Sequence, residues 1–223
     1  MLVFCYICIM EKEIIKRNIQ SEIVDKLTPE IIEDMKKIWF TSDLHHAHNK
    51  IIDICKRPCK VEDHTQWLID SINTYVKKKD ILYLLGDVSF AKKPEAEVFL
   101  NKLNGEKFLI VGNHDKSLEH APQFTQIKQI KDFTYGRYGL NIHIVLCHYP
   151  ISSWNRKIYG SWHLYGHVHG RYVNEGLSFD VGIDNNDLTH SVNCYHKPIN
   201  LYEVVMLMNE KQKNGDDNFN EIK

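Results

Sequence analysis

The feature that most limits the fold of this sequence is a series of short apolar runs, each ending in polar residues. Runs of this length are typical of buried strands. They are KIWFTSD (37–43), ILYLLGD (81–87), KFLIVGNHD (107–115), IHIVLCH (142–148), WHLYGH (162–167), LSFDVGID (177–184) and LYEVVMLM (201–208). Helical patterns fall between the early runs, so the sequence predicts a layered α/β domain with a mixed sheet.

The segments outside these runs predict helices and two terminal regions. Residues 11–36 carry apolar side chains at spacings of three and four, and Thr28–Pro29 has the pattern of an N-cap followed by a first-turn proline. Two more helices are predicted, over 63–78 and from Pro94 to a cap at Asn104–Gly105. The expected division is a helical extension, a main domain and a polar disordered tail, over residues 1–36, 37–208 and 209–223.

Charge and cysteine usage argue against several classes of protein. The net charge of −1 over 223 residues provides no general basic field for long nucleic acid. Six cysteines are too few for a disulfide scaffold of this size, so we expect reduced thiols and a cytoplasmic protein. A zinc site built from Cys5, Cys8, Cys55 and Cys59 is a weak alternative, because the first pair lies in a segment without turn residues.

The opening decapeptide, MLVFCYICIM, predicts neither a membrane anchor nor a secretory signal. It is too short to span a bilayer, and it has no basic region before it and no small-residue cleavage site. Met10 is an alternative start of the chain to Met1.

Five of the apolar runs end in side chains of the kind that bind metal ions. In layered α/β proteins such strand ends form the crevice where ligands bind. The candidate ligands are Asp43, His45, Asp87, Asn113, His148, His167 and His169. Seven donors are too many for one tetrahedral zinc, and they divide over two ions if Asp87 bridges. Imidazole, carboxylate and amide oxygen together suit Mn²⁺, Fe, Zn²⁺, Co²⁺ or Ni²⁺.

The order of these blocks resembles the calcineurin-like metallophosphoesterase superfamily over about residues 38–208. The blocks are Asp43-Leu44-His45, Gly86-Asp87, Gly112-Asn113-His114-Asp115, His148 and Gly166-His167-Val168-His169. The segments around them further resemble a subgroup of small, single-domain prokaryotic and phage phosphoesterases. Ala47 stands where that subgroup usually has glycine. The resemblance implies a four-layer αββα sandwich with two mixed β-sheets.

The resemblance also implies a binuclear metal centre with a role for each residue. One divalent ion, with Mn²⁺ the first choice, would be held by Asp43, His45, Asp87 and His169. The other would be held by Asp87, Asn113, His148 and His167. A hydroxide bridging the two ions would attack phosphorus. His114 would act as the general acid, and Asp115 would orient its ring.

Several further residues are weaker candidates for contact with substrate. They are His48, Arg57, Lys116, Trp154 and Arg156. For these residues a structural or solvated role is an open alternative to contact with substrate. The aromatic residues before the last block could instead cover the edge of a sheet. The other histidines, His46, His64, His120, His143, His163, His190 and His196, are expected to be structural or on the surface.

The leading hypothesis is a phosphoesterase that uses two metal ions on a small phosphodiester or nucleotide. A phosphomonoester substrate remains open, and so does a scaffold that keeps the fold only to bind a protein. A phosphoprotein phosphatase is disfavoured, because GDVSFAKK (86–93) lacks the arginine that those enzymes carry there. An amidohydrolase fits the blocks poorly. No membrane or long nucleic acid is expected as a partner, and residues 11–36 could dock a protein.

Overall fold

Two mixed β-sheets form the centre of the computed structural model, which describes residues 23–187 and 189–215. The strands are β1 Ile38–Thr41, β2 Ile81–Leu84, β3 Glu106–Ile110, β4 Phe124–Lys128, β5 Ile130–Tyr135, β6 Ile142–Cys147, β7 Trp162–Tyr165, β8 Ser178–Asp180 and β9 Ile199–Asn200. The α-helices are α1 Pro29–Met35, α2 Lys50–Cys55, α3 His64–Asn73, α4 Lys93–Lys102 and α5 Leu201–Asn214.

Each sheet combines parallel and antiparallel strands. The first sheet has the order β4-β3-β2-β1-β9, in which β1 to β4 are parallel and β9 is antiparallel. The second sheet has the order β5-β6-β7-β8, in which β5 is antiparallel to three parallel strands. In both sheets the parallel strands therefore end at a common edge.

Alternating side chains of the first sheet belong to two different cores. Phe40 and Tyr83 point into a core that includes Ile144 and Leu164 of the second sheet. Leu82 and its neighbours on the opposite face pack in a separate core with helices α3 and α4. Because both faces are buried, these strands have almost continuous apolar sequences. The sheets thus pack face to face, with helices on the outer side of the first sheet.

The outer face of the second sheet is covered by the segments on either side of β7, about residues 149–161 and 171–177. Trp154 packs against His163 of β7, with ring centroids 5.2 Å apart. Asn174 donates a hydrogen bond to the carbonyl of Ile151, which ties two parts of this cover together. The predicted α/β sandwich of two mixed sheets is confirmed, and its outermost layer on this side consists of loops and a 3₁₀ turn, Lys157–Tyr159.

The predicted strand over 201–208 is wrong, because this segment begins helix α5. Asn200 and Glu203 form a reciprocal capping box, in which each side chain accepts a hydrogen bond from the backbone N–H of the other. The apolar residues then fall at helical spacing and pack into the core between the sheets. The helix continues to Asn214, so the predicted disordered tail does not begin at residue 209, and residues 216–223 lie outside the described residues.

The predicted N-terminal helices are described only in part, since residues 1–22 lie outside the described residues. Residues 23–25 are helical, and α1 begins after Thr28, whose hydroxyl accepts from the N–H of Ile31 at 3.4 Å. Ile31 and Met35 are buried in the core between the sheets. These two side chains therefore pack on the domain and are not free to dock a partner. The division into domains stays a prediction.

Helices α3 and α4 agree with their predicted positions, although α3 ends at Asn73 rather than at residue 78. Strands β4, β5 and β9 were not predicted. Within the described ranges, no helix is both long enough and apolar enough to cross a membrane.

Candidate metal centre

The loops that follow six parallel strands meet at one edge of the sandwich. The loop after β1 carries Asp43 and His45, the loop after β2 carries Asp87, and the loop after β3 carries Asn113. Those after β6 and β7 carry His148, and His167 with His169. An isolated bridge between Ser42 and Gly182 joins the end of β1 to the loop after β8, so the edges of the two sheets are in direct contact.

Five of the seven candidate ligands have left-handed backbone conformations. Their φ angles are 59° at Asp43, 50° at His45, 52° at Asp87, 72° at His167 and 51° at His169. This region costs a residue with a side chain about 1–2 kcal/mol, although Asp and His tolerate it better than most. Such conformations collect at functional sites, where the surrounding structure imposes them.

Two glycines of the sequence blocks allow the loops to approach one another. A Cβ atom on Gly112 would lie 2.4 Å from Oδ1 of Asp87, and one on Gly166 would lie 2.5 Å from Oδ2 of Asp43. Both distances are far below van der Waals contact. The glycine before Asn113 and the glycine before His167 are thus required for the two aspartates to reach their positions.

The first group of donors comprises Asp43, His45 and His169. Oδ1 of Asp43 lies 3.8 Å from Nε2 of His45 and 3.8 Å from Nε2 of His169. The other oxygen of Asp43 accepts a hydrogen bond from the backbone N–H of His167 at 2.8 Å. Oδ1 of Asp43 and Nε2 of His45 are buried without any hydrogen-bond partner. Buried polar atoms are rarely left so, and these two converge on one point.

The second group comprises Asp87, His148 and His167. Oδ1 of Asp87 lies 3.6 Å from Nε2 of His148, whose Nδ1 is 2.7 Å from the carbonyl oxygen of Leu85. That carbonyl accepts a hydrogen bond from the Nδ1–H group, which leaves the unprotonated Nε2 atom available to bind a metal ion. Oδ1 of Asn113 is 3.2 Å from the same Nε2 atom. All seven predicted ligands are therefore brought to one edge of the sandwich.

Asp87 lies between the two groups. Its Oδ2 atom is 3.6 Å from Nε2 of His45, and its Oδ1 atom is 3.6 Å from Nε2 of His148. These separations are too long for hydrogen bonds. Donor atoms about 2.0–2.2 Å from a shared ion lie up to about 4.4 Å apart, so the spacing fits metal coordination. The donor set of imidazole and carboxylate also fits divalent transition metals.

The electrostatics of the two groups favour the ligand forms of two residues. Burial favours protonation of Asp43, but the adjacent imidazoles outweigh it and hold its pKa below its usual range. Burial and the nearby His148 lower the pKa of His167, which favours the neutral form of its imidazole. An ionised carboxylate and a neutral imidazole are the forms that bind metal.

Asp184 orients His169, a role that sequence reasoning missed. Its Oδ2 atom is 2.8 Å from Nδ1 of His169, which directs the Nδ1 proton to the carboxylate and Nε2 towards Asp43. Although burial opposes it, this hydrogen bond, together with the contact with Cys55 and the charge of Asp43, raises the pKa of His169 to about 10. The DVGID segment contains Asp184, but nothing in the sequence alone indicates its pairing.

Arg57 is a buried structural residue, so its predicted contact with substrate is wrong. Its guanidinium donates to both oxygens of Asp184, at 2.8 and 2.7 Å, and to the carbonyls of Asp43 and Leu44, each at 2.7 Å. The remaining contact is with Nε2 of His64 at 2.8 Å. These five contacts use all five N–H groups of the side chain, and none remains for phosphate.

His114 lies on the exposed side of Asp87, and its ring is not oriented by Asp115 as predicted. Nε2 of His114 is 4.0 Å from Oδ2 of Asp87, and 43% of the side chain is exposed. The carboxylate of Asp115 is buried and accepts hydrogen bonds from the backbone N–H groups of Asp87, Val88 and Gly112 at 2.8–2.9 Å. Asp115 therefore fixes the loops after β2 and β3 to one another.

The other weak candidates for substrate contact differ in their positions. His48 lies at the site, with its Nδ1 atom 3.3 Å from Nδ1 of His45. Lys116 is exposed in the 3₁₀ turn after Asp115, and its role stays a prediction.

The predicted substrate contacts of Trp154 and Arg156 are wrong, because both side chains lie away from the donor groups. Trp154 is buried against the second sheet and donates to the carbonyl of Ser161, as in the alternative of a loop that covers the sheet. Arg156 lines a pocket with Asn141 and Ile142, at the end of β6 opposite His148. Neither side chain lies at the edge where the donor groups meet.

Two aromatic side chains that were not predicted border the donor groups. The ring centroid of Phe90 is 5.1 Å from that of His45 and 4.3 Å from that of His114. The centroid of Tyr149 is 4.9 Å from those of both His148 and His167. Both residues are partly exposed, and each follows a predicted block closely in sequence.

The cysteines in the described ranges, Cys55, Cys59, Cys147 and Cys194, are free thiols. Sγ of Cys55 is 3.5 Å from Nδ1 of His169, and these two residues form a further possible donor group with Asp184. The zinc site considered for the two cysteine pairs is not described, because Cys5 and Cys8 lie outside the described residues.

Known proteins resemble this chain over most of its length. No protein-family model matches it. The uncharacterized protein MJ1445 of Methanocaldococcus jannaschii is 34% identical over 182 residues, which cover 80% of this chain and 94% of that protein. The Gene 66 protein of Mycobacterium phage D29 is 26% identical, over 79% of this chain and 98% of the phage protein.

A solved structure shares the fold. The crystal structure of the protein of unknown function AQ665 from Aquifex aeolicus has a TM-score of 0.54 and 25% sequence identity, and covers 75% of this chain and 96% of that one. The sequence identity of 34%, over nearly the whole length of the Methanocaldococcus protein, is sufficient to assign the two chains to one family. The chain belongs to the same family as the uncharacterized protein MJ1445.

Proposed function

We propose that the chain is a metal-dependent phosphoesterase that hydrolyses a small phosphodiester or nucleotide. The observation that supports this most is the position of Asp87 between two groups of donors, with the exposed imidazole of His114 beside it. The resemblance of the sequence blocks to metallophosphoesterases gives the same answer. The four free cysteines in the described residues agree with a cytoplasmic setting.

Two divalent ions would supply Lewis-acid activation of water and of the phosphoryl oxygens. Asp43, His45 and His169 would hold one ion, and His148, His167 and Asn113 would hold the other, with Asp87 shared. Mn²⁺ is our first choice, with Fe, Zn²⁺, Co²⁺ or Ni²⁺ as alternatives. The buried, partnerless oxygen of Asp43 and nitrogen of His45 support such a role.

His114 would donate a proton to the leaving oxygen. Its ring is exposed and lies on the same side as Oδ2 of Asp87, so an ester seated over the donor groups would be within its reach. The backbone N–H of His114 donates to Oδ1 of Asp87 at 3.0 Å, which fixes the start of that side chain relative to the donors. Asp184 would keep His169 in the tautomer that presents Nε2.

The first experiment counts metals and assays hydrolysis. The protein is purified without chelator and examined by elemental analysis, and bis(p-nitrophenyl) phosphate is compared with p-nitrophenyl phosphate in the presence of Mn²⁺. We expect about two ions per chain and turnover, with faster hydrolysis of the diester. Two ions and faster hydrolysis of the monoester would instead support a phosphomonoesterase. A chain without ions and without turnover would refute the proposal and favour a scaffold.

Variants test the shared position of Asp87. His45→Gln and His148→Gln each remove a donor from one group, so each should lower the metal content by about one ion per chain. Asp87→Asn removes a charge from both groups and should lower the content of both ions. His163→Gln is the matched control, because His163 is a buried histidine of β7 that lies outside both groups. Equal metal content in all four variants would contradict the assignment.

A further inference from the structure

The ring of His114 is not held by Asp115, the residue that the sequence suggested would orient it. Asp115 directs its carboxylate to three backbone N–H groups, and 43% of the His114 side chain is exposed. In the described part of the chain no side chain forms a hydrogen bond with the His114 ring, and the nearest carboxylate oxygen is 4.0 Å away. An exposed imidazole held only by its backbone would sample several rotamers.

Phe90 supplies a flat surface for this ring. The centroids of Phe90 and His114 are 4.3 Å apart, with an angle of 32° between the ring planes. The Phe90 ring also stacks on His48, at 4.4 Å and 17°, and lies 5.1 Å from His45. Phe90 is 38% exposed, so it is a large apolar side chain at the mouth of the site.

The backbone that carries Phe90 is itself fixed to the candidate centre. The N–H of Phe90 donates to the carbonyl of His46 at 2.8 Å. The side chains of His46 and Ser89 are joined by a hydrogen bond of 2.9 Å, and both residues are fully buried. The backbone of Phe90 is therefore tied to the loop of Asp43 and His45, and the contact of its ring with His48 limits the rotation of its side chain.

We propose that Phe90 is the positioning residue of the general acid, and that its ring holds His114 over the donor groups. This inference rests on the proposed function. The contact of two flat rings restricts the rotation of the imidazole and so places its Nε2 atom near the leaving oxygen. Leucine is apolar but has no flat face, whereas tyrosine keeps that face.

The test compares two esters that differ in their need for a proton. Diphenyl phosphate has a poorer leaving group than bis(p-nitrophenyl) phosphate and depends more on general acid catalysis. We expect Phe90→Leu to lower kcat for diphenyl phosphate about three- to tenfold, in line with the strength of an aromatic contact, and to change kcat for the nitrophenyl ester by less than about twofold. Phe90→Tyr should restore the wild-type ratio.

Two controls delimit the effect. Tyr159→Leu removes an exposed aromatic residue near Arg156, at the far end of β6, and should leave both rates unchanged. His114→Ala sets the largest loss that a positioning effect can reach. An equal loss of both esters in Phe90→Leu would indicate a general structural effect and overturn the proposal, and so would unchanged rates for both.

A measurement without turnover separates this inference from the proposed function. The Hα–Hβ couplings of His114, measured by NMR, should fit one χ1 rotamer in the wild type and an average of rotamers in Phe90→Leu. This result would support positioning by Phe90 even if the wild-type protein hydrolysed neither ester. Couplings that fit the same single rotamer in both proteins would overturn the inference, even if the wild type were an active esterase.

Discussion

Replacement of Arg57 by methionine should destabilise the metal-free protein strongly. The Arg57 and Asp184 side chains are 0% and 1% exposed, and the guanidinium donates to both oxygens of that carboxylate. The substitution leaves a buried carboxylate with one partner, His169, and removes the donors to the carbonyls of Asp43 and Leu44.

The expected loss can be estimated from the structure. Removal of one partner from a buried ion pair typically costs about 3–5 kcal/mol. In a domain of this size, each 1 kcal/mol lowers Tm by about 2–4 °C, so we expect Tm to fall by roughly 6–20 °C. Arg57→Lys keeps the charge but loses the two-pronged contact with Asp184, and should lie between the wild type and Arg57→Met.

The assay is thermal and urea unfolding in the presence of chelator, at several pH values. Despite burial, the hydrogen bonds from His169 and Arg57 hold the pKa of Asp184 well below its usual value of 3.8. Because the pKa of Asp184 is lower in the folded state than in the unfolded state, its ionised carboxylate stabilises the fold at pH values above the unfolded-state pKa. This stabilisation is lost as the pH falls below that pKa. The deficit of Arg57→Met should therefore be full at pH 6 and should narrow below about pH 4.

Arg137→Met is the control for the removal of an arginine. Arg137 is 58% exposed and contacts Asp34 at 3.0 Å, and an exposed pair of this kind contributes little. If Arg57→Met were no less stable than Arg137→Met, or if its deficit were the same at pH 6 and pH 3, the assignment of Arg57 to a buried ion pair would be refuted.

Three further predictions concern metal binding and pH. Because the pKa of His169 is raised to about 10, Mn²⁺ should displace a proton at pH 8, and calorimetry in buffers of different ionisation enthalpy should show this release reduced in Asp184→Asn. Gly112→Ala places a Cβ 2.4 Å from Oδ1 of Asp87 and should abolish metal binding measured by elemental analysis, whereas Gly136→Ala, which has open space, should bind normally. Burial lowers the pKa of His163 to about 4, so stability should fall as the pH decreases from 6.5 towards 4, and urea midpoints should show a smaller fall in His163→Gln.

Much of the site follows from sequence because strand ends in parallel sheets share an edge. The apolar runs located β1, β2, β3, β6 and β7, and the polar residues after them are those that meet. Edge strands β4 and β5 were missed because their sequence, FTQIKQIKDFTY, mixes apolar and polar residues. Helix α5 was mistaken for a strand because its apolar run is compatible with both structures, and the capping box that decides between them lies in two residues.

The supporting contacts of the site were out of reach for a different reason. Arg57 and Asp184 are 127 residues apart, and each is an ordinary charged residue until the fold brings the two together. Asp115 is next to His114 in sequence, but its side chain points to the backbone of the neighbouring loops. Ligand types can be read from local pattern, whereas the partners that orient them depend on the three-dimensional arrangement.

The division of the donors between two sheets has a consequence for how the protein is made. A nascent chain that has not yet reached His148 contains Asp43, His45, Asp87 and Asn113, but none of the donors from the second sheet. Under our proposal, the second donor group is not complete until residue 167 has left the ribosome and the sheets have docked, and the first group also needs residue 169. Metal ions would then bind late and stabilise the finished protein more than its folding intermediates, slowing unfolding without accelerating folding.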